Sequence, residues 1–225
     1  MTAPNHRALP FIAGLFTASL LISNTIASKI FELGPVTLTA GIILIPISYV
    51  FGDILTEVYG YSASRKVIWS GIAGQALMTA SYLAADALPP APFWPHQEAF
   101  HQILTPVPRI ALASILALFA GEFVNSYVIA KMKVKTNGRL VGLRYVCSTI
   151  IGQGVDTVVF SLVAFFGIFT APEILQLGLS AWGIKIAWEC LALPVSLPLT
   201  KWLKRHEGGE VFDLKTNFSP FVLEQ

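Results

Sequence analysis

Charge is scarce in this chain. Lys, Arg, Asp and Glu make up 12% of its 225 residues, against roughly 25% in a soluble domain. Hydrophobic residues make up 54%, and the mean hydropathy is +0.66. A soluble core cannot use that much apolar sequence, and a formal net charge of +2 leaves no basic domain for nucleic acid. Cysteine is almost missing. Cys147 and Cys190 both lie inside apolar runs, which excludes a disulfide framework and paired metal-ligand spacing. Histidine is confined to His6, His96, His101 and His206, all outside the apolar runs, and no HExxH occurs. Zinc-dependent hydrolysis is therefore not expected. Two aspartates in apolar surroundings, Asp53 and Asp156, raise intramembrane proteolysis. However, Gly152-Gln153-Gly154-Val155-Asp156 is one residue too long for a GxGD pattern, and Tyr49 does not adjoin Asp53. The chain is expected to be no enzyme and to carry no cofactor or metal.

What is present is membrane-length apolar sequence. Residues 8–28, 33–52 and 67–85 are free of charged side chains for 21, 20 and 19 positions. About 20 residues at 1.5 Å each cross a hydrocarbon core of roughly 30 Å. The expected architecture is an all-α integral membrane protein with six transmembrane helices in one domain. Its spans are near 9–31, 37–57, 66–87, 109–130, 145–168 and 178–200. A barrel is excluded because the runs are continuous and far exceed a strand of about 10 residues. The run after Arg7 is too long for a signal-peptide core and is expected to stay as the first helix. Six spans put residues 1–8, 58–66, 131–144 and 201–225 on one side, with 12 of the 15 basic residues, while the opposite loops hold only Arg109. That asymmetry predicts cytoplasmic N- and C-termini. The proline-rich stretch 86–109 is expected to be interfacial or partly re-entrant, the basic turn 131–139 to meet anionic lipid, and the tail after Lys204 to be exposed.

Seven ionisable residues stand out within the spans: Lys29, Asp53, Glu57, Glu122, Asp156, Lys185 and Glu189. Each is costly in lipid, so together they read as the lining of an internal path. Asp53 and Glu57 share a helical face, as do Lys185 and Glu189. Arg65, Lys66 or a bound proton is expected to compensate the first pair, and the second has salt-bridge spacing. Pro46, Gly152, Gly154, Pro194 and Pro198 stand near these groups and mark expected helix breaks. Amides at Asn24, Gln75, Asn125 and Gln153 and aromatics at Tyr49, Phe51, Tyr127, Trp182 and Trp188 complete a set suited to a planar, hydrogen-bonding heterocycle.

Several stretches carry a resemblance. They are Ser23-Asn24-Thr25-Ile26-Ala27-Ser28-Lys29, Ser48-Tyr49-Val50-Phe51-Gly52-Asp53 continuing through Glu57 to Gly60, and Arg65. Further along are Gly121-Glu122-Phe123-Val124-Asn125, Gly154-Val155-Asp156, and Trp182-Gly183-Ile184-Lys185 continuing to Glu189. In these the chain resembles the queuosine precursor transporters, formerly grouped as vitamin uptake transporters. The resemblance implies uptake of 7-cyano-7-deazaguanine or its 7-aminomethyl relative across a bacterial inner membrane. It also implies a fold related to the substrate-binding components of energy-coupling-factor importers. The expected partners are a small planar deazaguanine and membrane lipid, with no nucleic acid bound and room for a homodimer. Asn24, Asp53, Glu122, Asn125, Asp156, Lys185 and Glu189 are the expected substrate-binding residues. Tyr49, Tyr127 and Trp182 are the expected stacking residues, and Lys29, Glu57 and Arg65 form a coupling or structural network. A binding component of an ATP-driven importer and a non-transport receptor or scaffold are the alternatives. Reporter fusions after Lys135 and at the C-terminus should read cytoplasmic, and one near Pro92 should read the opposite side. An external C-terminus would overturn the six-span count.

Overall fold

Along α5 (Val141–Phe165) the buried side is Arg144, Tyr145, Ser148, Thr149, Gln153, Thr157 and Ser161, while Leu143, Ile150, Ile151, Val158 and Leu162 face outward. Spacings of three and four residues put the polar set on one stripe. This is the reverse of a soluble helix and suits a lipid surround, where the outside is apolar and polar groups must find partners within. The computed structural model describes residues 5–26, 29–33, 36–104, 108–167 and 169–222. The other elements are α1 (Leu9–Ile26), β1 (Ile30–Leu33), β2 (Val36–Thr39), a 3-10 turn (Ala40–Leu44), α2 (Ile45–Asp86), α3 (Gln97–Leu104), α4 (Pro108–Lys135) and α6 (Ala171–His206). The fold is all-α apart from the antiparallel pair β1 and β2, with Ile30 opposite Thr39 and Leu33 opposite Val36. Among the described residues, Leu9–Ile26, Leu112–Lys135 and Val141–Phe165 are long and apolar enough to cross a membrane.

The expected first and second spans are helical over shorter stretches, because residues 30–33 and 36–39 bond to each other as strands. The second and third are one 42-residue helix, α2, interrupted at Gly60 (φ 82°, ψ 172°). Glycine carries no Cβ and adopts this conformation without steric cost. Expected breaks at Gly152, Gly154, Pro194 and Pro198 do not occur, since α5 and α6 run through them. Membrane helices commonly tolerate prolines such as the two in α6. The N-terminus of α6 is set by a capping box: Glu173 accepts hydrogen bonds from the Thr170 amide at 2.8 Å and the Thr170 hydroxyl at 2.7 Å. In the proline-rich connection, Asp86 accepts from Gln97 at 3.3 Å and pairs with His101 at 2.6 Å, while Phe93 stays 88% exposed. The side chains of Pro46, Pro106, Pro108 and Arg109 lie outside the described residues.

Two loop expectations are corrected. The basic turn does not simply face lipid, because Lys133 is fully buried, donates to the carbonyls of Glu57 and Val211, and pairs with Glu210 at 2.7 Å. Nor is the tail wholly exposed, since Glu207 and Asp213 are buried although Leu214 and Phe221 are not. The Glu207 carboxylate caps α1, accepting from the amides of Arg7 at 3.0 Å and Ala8 at 2.6 Å, and it takes the Tyr59 hydroxyl at 2.9 Å. An anion at a helix N-terminus is favourable. Local backbone composition hid these partners, because they lie some 150 to 200 residues away in sequence.

Burial pushes the Glu207 carboxyl up, but the Ala8 and Arg7 amides, the Tyr59 hydroxyl and nearby His206 outweigh it and hold it below the usual 4.5. A depressed value in the folded state contributes stability that is present above the unfolded value and lost as pH falls through the folded one. Glu207→Gln should therefore lower the Tm in detergent at neutral pH. The gap to the parent should close as pH falls below 4.5. A gap that persists unchanged under acid would assign the effect to packing instead.

Candidate functional site

Two glycines bring the polar faces of α4 and α5 together. A Cβ on Gly121 would lie 2.6 Å from the Asp156 Cβ, and one on Gly152 would lie 2.8 Å from the Asn125 Cβ. Neither site has space for a side chain. This contact sets Glu122 and Asn125 of α4 beside Gln153 and Asp156 of α5. The first part of α2 approaches from the other side. A Cβ on Gly52 would sit 3.3 Å from the Glu122 Oε2, and Asn125 donates to the Asp53 Oδ1 at 2.8 Å. Tyr49, one turn before Asp53, donates to the Gln153 Oε1 at 2.8 Å. Its hydroxyl lies within electrostatic reach of Asp53, Glu122, Asp156 and Glu189. The four acids come from four helical segments and form one cluster.

Lys185 of α6 is its cation. The Lys185 Nζ pairs with the Asp156 Oδ2 and lies 3.5 Å from the Thr157 hydroxyl. The i, i+4 pair expected between Lys185 and Glu189 is not formed. Glu189 instead lies against Asp53 and Thr149, and neither of its carboxylate oxygens meets a donor in hydrogen-bonding geometry. A buried acceptor without a donor is costly. The same condition holds at the Asp53 Oδ2 and the Asn125 Oδ1. The cluster thus has four unpartnered acceptor atoms behind a partly open edge, where Lys185 and Asp156 keep 18% and 20% side-chain exposure.

Other expected residues fall elsewhere. Glu57 is one helical turn beyond Asp53 and is compensated neither by Arg65 nor by Lys66. Arg144 donates to its Oε1 at 2.7 Å and its Oε2 at 3.1 Å, and Lys204 reaches Oε1 at 2.5 Å. Arg65 donates instead to the carbonyls of Asn217 and Ser219, both at 2.8 Å. Tyr127 is 44% exposed and packs edge-on against Phe218, on the far face of α4 from the cluster's Asn125. Trp182 donates to the Ile150 carbonyl at 2.9 Å and covers Gly154, so it fastens α6 to α5 near the cluster's rim. Lys29 is exposed at the foot of β1, outside the cluster, and Asn24 is half-buried on α1. Arg144 and Lys204 escaped the sequence reading because both sit in basic stretches that look solvated. Gly121 and Gly152 were detectable in principle, as small residues in apolar helices that allow close approach. Among the described residues no group of three or more His, Cys, Asp or Glu is arranged to hold a metal.

An acid cluster inside an apolar-faced bundle does not by itself name a function, and sequence comparison decides the family. Residues 39–199 match the family described as "Putative vitamin uptake transporter". The chain belongs to that family. It is similar to a protein of Bacillus subtilis (strain 168) described as "Probable queuosine precursor transporter", with 31% identity over 188 residues, covering 82% of this chain and 81% of the relative. No solved structure matches it. Membership makes this chain a multi-pass membrane transporter and not an enzyme. The match takes in every residue of the acid cluster. In this transporter, Gly152→Val should force α4 and α5 apart at Asn125. Overpacking of this kind typically costs about 1 to 3 kcal/mol. The expected result is a lower Tm in detergent with binding lost in parallel. A Tm equal to the parent's would mean the helices do not meet here.

Proposed function

We propose that this transporter imports a queuosine precursor, 7-cyano-7-deazaguanine or 7-aminomethyl-7-deazaguanine, into the bacterial cytoplasm. The observation that carries the reading is the set of donor-lacking acceptors at the Asp53 Oδ2, the Asn125 Oδ1 and both Glu189 oxygens. A guanine-like edge presents adjacent N–H donors, and a carboxylate can accept two of them in parallel. Tyr49 stands among the same acids and supplies a flat surface for the ring. Glu122 and the Asp156–Lys185 pair form the remainder of the proposed lining. Tyr127 takes no part in this version of the site, and Trp182 contributes by holding α6.

In the proposed mechanism the base enters past the Lys185–Asp156 edge, donates to Asp53 and Glu189, and is released on the other side by alternating access. No covalent step occurs. Six crossings are assigned to α1, the two parts of α2, α4, α5 and α6, with both termini cytoplasmic as the basic loops require. Proton exchange on the facing carboxylates of Asp53 and Glu189 offers a route to coupling, because two such acids cannot readily both be charged in a dry site.

The test uses Asp53→Asn. Asn125 already holds the Oδ1 position, so the new amide places its NH2 where the ligand's donors should arrive. Loss of one charge-assisted contact worth about 1.5 to 3 kcal/mol weakens binding roughly 10- to 150-fold. Calorimetric titration of the folded variant with the neutral cyano compound is the measurement, and affinity within twofold of the parent would remove Asp53 from the site. Uptake of the same compound by this chain alone in lipid vesicles separates a self-sufficient carrier from a component that needs an ATPase partner.

A further inference from the structure

The break in α2 strands backbone groups that a continuous helix would pair. Tyr61 N–H would bond the Glu57 carbonyl, and the next amide would bond the Val58 carbonyl. At Gly60 the non-helical φ and ψ turn these groups apart, and three of the four find substitutes from far along the chain. The Asp213 carboxylate accepts the Tyr61 N–H at 3.1 and 3.2 Å. The Val58 carbonyl accepts the Val211 N–H at 2.9 Å. Lys133 donates to the Glu57 carbonyl and also to the Val211 carbonyl at 2.7 Å. The fit extends to shape, for a Cβ on Gly60 would lie 2.6 Å from the Val211 Cγ1.

Beyond Asp213 the chain bends at Leu214–Lys215 and runs along the second part of α2 without regular secondary structure. Its successive carbonyls are capped in turn. Arg65 covers Asn217 and Ser219, the Tyr61 hydroxyl covers Phe218 at 3.0 Å, and the Trp69 indole covers Pro220 at 2.8 Å. Trp69 is nine residues past Gly60, about 14 Å along the axis. There Phe221 meets the rings of Trp69 and Phe119. Irregular backbone is tolerated beside membrane helices only when its polar groups are satisfied by protein, and these four carbonyls are.

We propose that residues 207–222 are an intramolecular clamp on the α2 break, and that Asp213 is a positioning residue that fixes the Tyr49–Asp53 part of α2 against α4. The segment lies beyond the 39–199 stretch that matches the family, and neither the substrate assignment nor the acid cluster enters the argument for it. With the clamp in place, the hydroxyls of Thr56 before the break, Ser64 after it and Ser126 on α4 lie within 2.9 to 3.0 Å of one another. Releasing Asp213 frees Tyr61 N–H, and the two parts of α2 can then swing about Gly60.

The test is thiol accessibility at Val58, which is fully buried beside the break. Val58→Cys is built into the full chain with Cys147→Ser and Cys190→Ser, and labelled in lipid by a water-soluble maleimide without any substrate. Adding Asp213→Ala should speed labelling by about tenfold, the factor expected from losing one backbone-to-carboxylate bond that holds the closed form. Asp213→Asn keeps an acceptor oxygen and should return the rate to within about threefold of the parent. If Asp213→Ala does not fold, Thr216→Ala removes the hydroxyl that donates to the Asp213 Oδ1 at 2.8 Å and is read the same way. Labelling within twofold of the parent in the folded variant would overturn the clamp, as would equal effects of alanine and asparagine at position 213. Because no deazaguanine is used, a failure of the substrate assignment leaves this result intact.

Discussion

A single carboxylate, Glu57, gathers the bundle at one end. It is fully buried, and it receives Arg144 from α5 on both oxygens and Lys204 from α6 on one, with Lys133 of α4 at 3.9 Å. Glu210 then shares Lys133 at 2.7 Å and Lys204 at 2.5 Å. Removing two charges from water costs several kcal/mol per ion unless geometry and further hydrogen bonds repay it. Here the geometry is a bidentate guanidinium, and Arg144 uses its remaining donors on the α4–α5 turn at Thr136, Arg139 and Gly138. The network binds because it is complete. Removing Glu57 would leave the buried Arg144 guanidinium without its carboxylate.

The acid cluster one to three turns away is built on the opposite principle. Among the described residues Lys185 alone answers the four acids Asp53, Glu122, Asp156 and Glu189, and it is paired with Asp156. Asp53 keeps one oxygen for Asn125, and its second oxygen and both of those on Glu189 have no donor. A satisfied network resists change, whereas an unsatisfied one gains free energy from any ligand or proton that supplies donors. The contrast between the two ends assigns them different work. One holds four helical elements in register, and the other is the proposed place for a hydrogen-bonding solute.

Both networks depend on helices that approach closely. In lipid the apolar exterior gives no hydrophobic force toward association, so packing and interhelical hydrogen bonds must supply it. Gly121 and Gly152 provide the packing between α4 and α5. Tyr145 with Thr200 at 2.9 Å and Trp182 with Ile150 at 2.9 Å provide bonds between α5 and α6. The outward Leu, Ile and Val of α5 and α6 are then free to face hydrocarbon.

The membrane class, the helical fold, and the fact that Asp53, Glu122, Asp156, Lys185 and Glu189 belong inside were legible in the residues alone, because the cost of a charge in lipid does not depend on its neighbours. Pairing was not legible. Helical spacing favoured Lys185 with Glu189, yet the lysine answers Asp156 on another helix, since a partner across a close interface competes with one on the same helix. Glu57 looked toward Arg65 for the same local reason and found Arg144 and Lys204 instead. The break at Gly60 and the buried tail were hidden more deeply. A glycine in an apolar run has many uses, and a short polar tail reads as solvated unless something within reach needs its acceptors. Sequence by itself determined which groups could not stay in lipid unpaired. Only the tertiary structure decided which partner each one met, because that choice depends on distances between helices that no local spacing encodes.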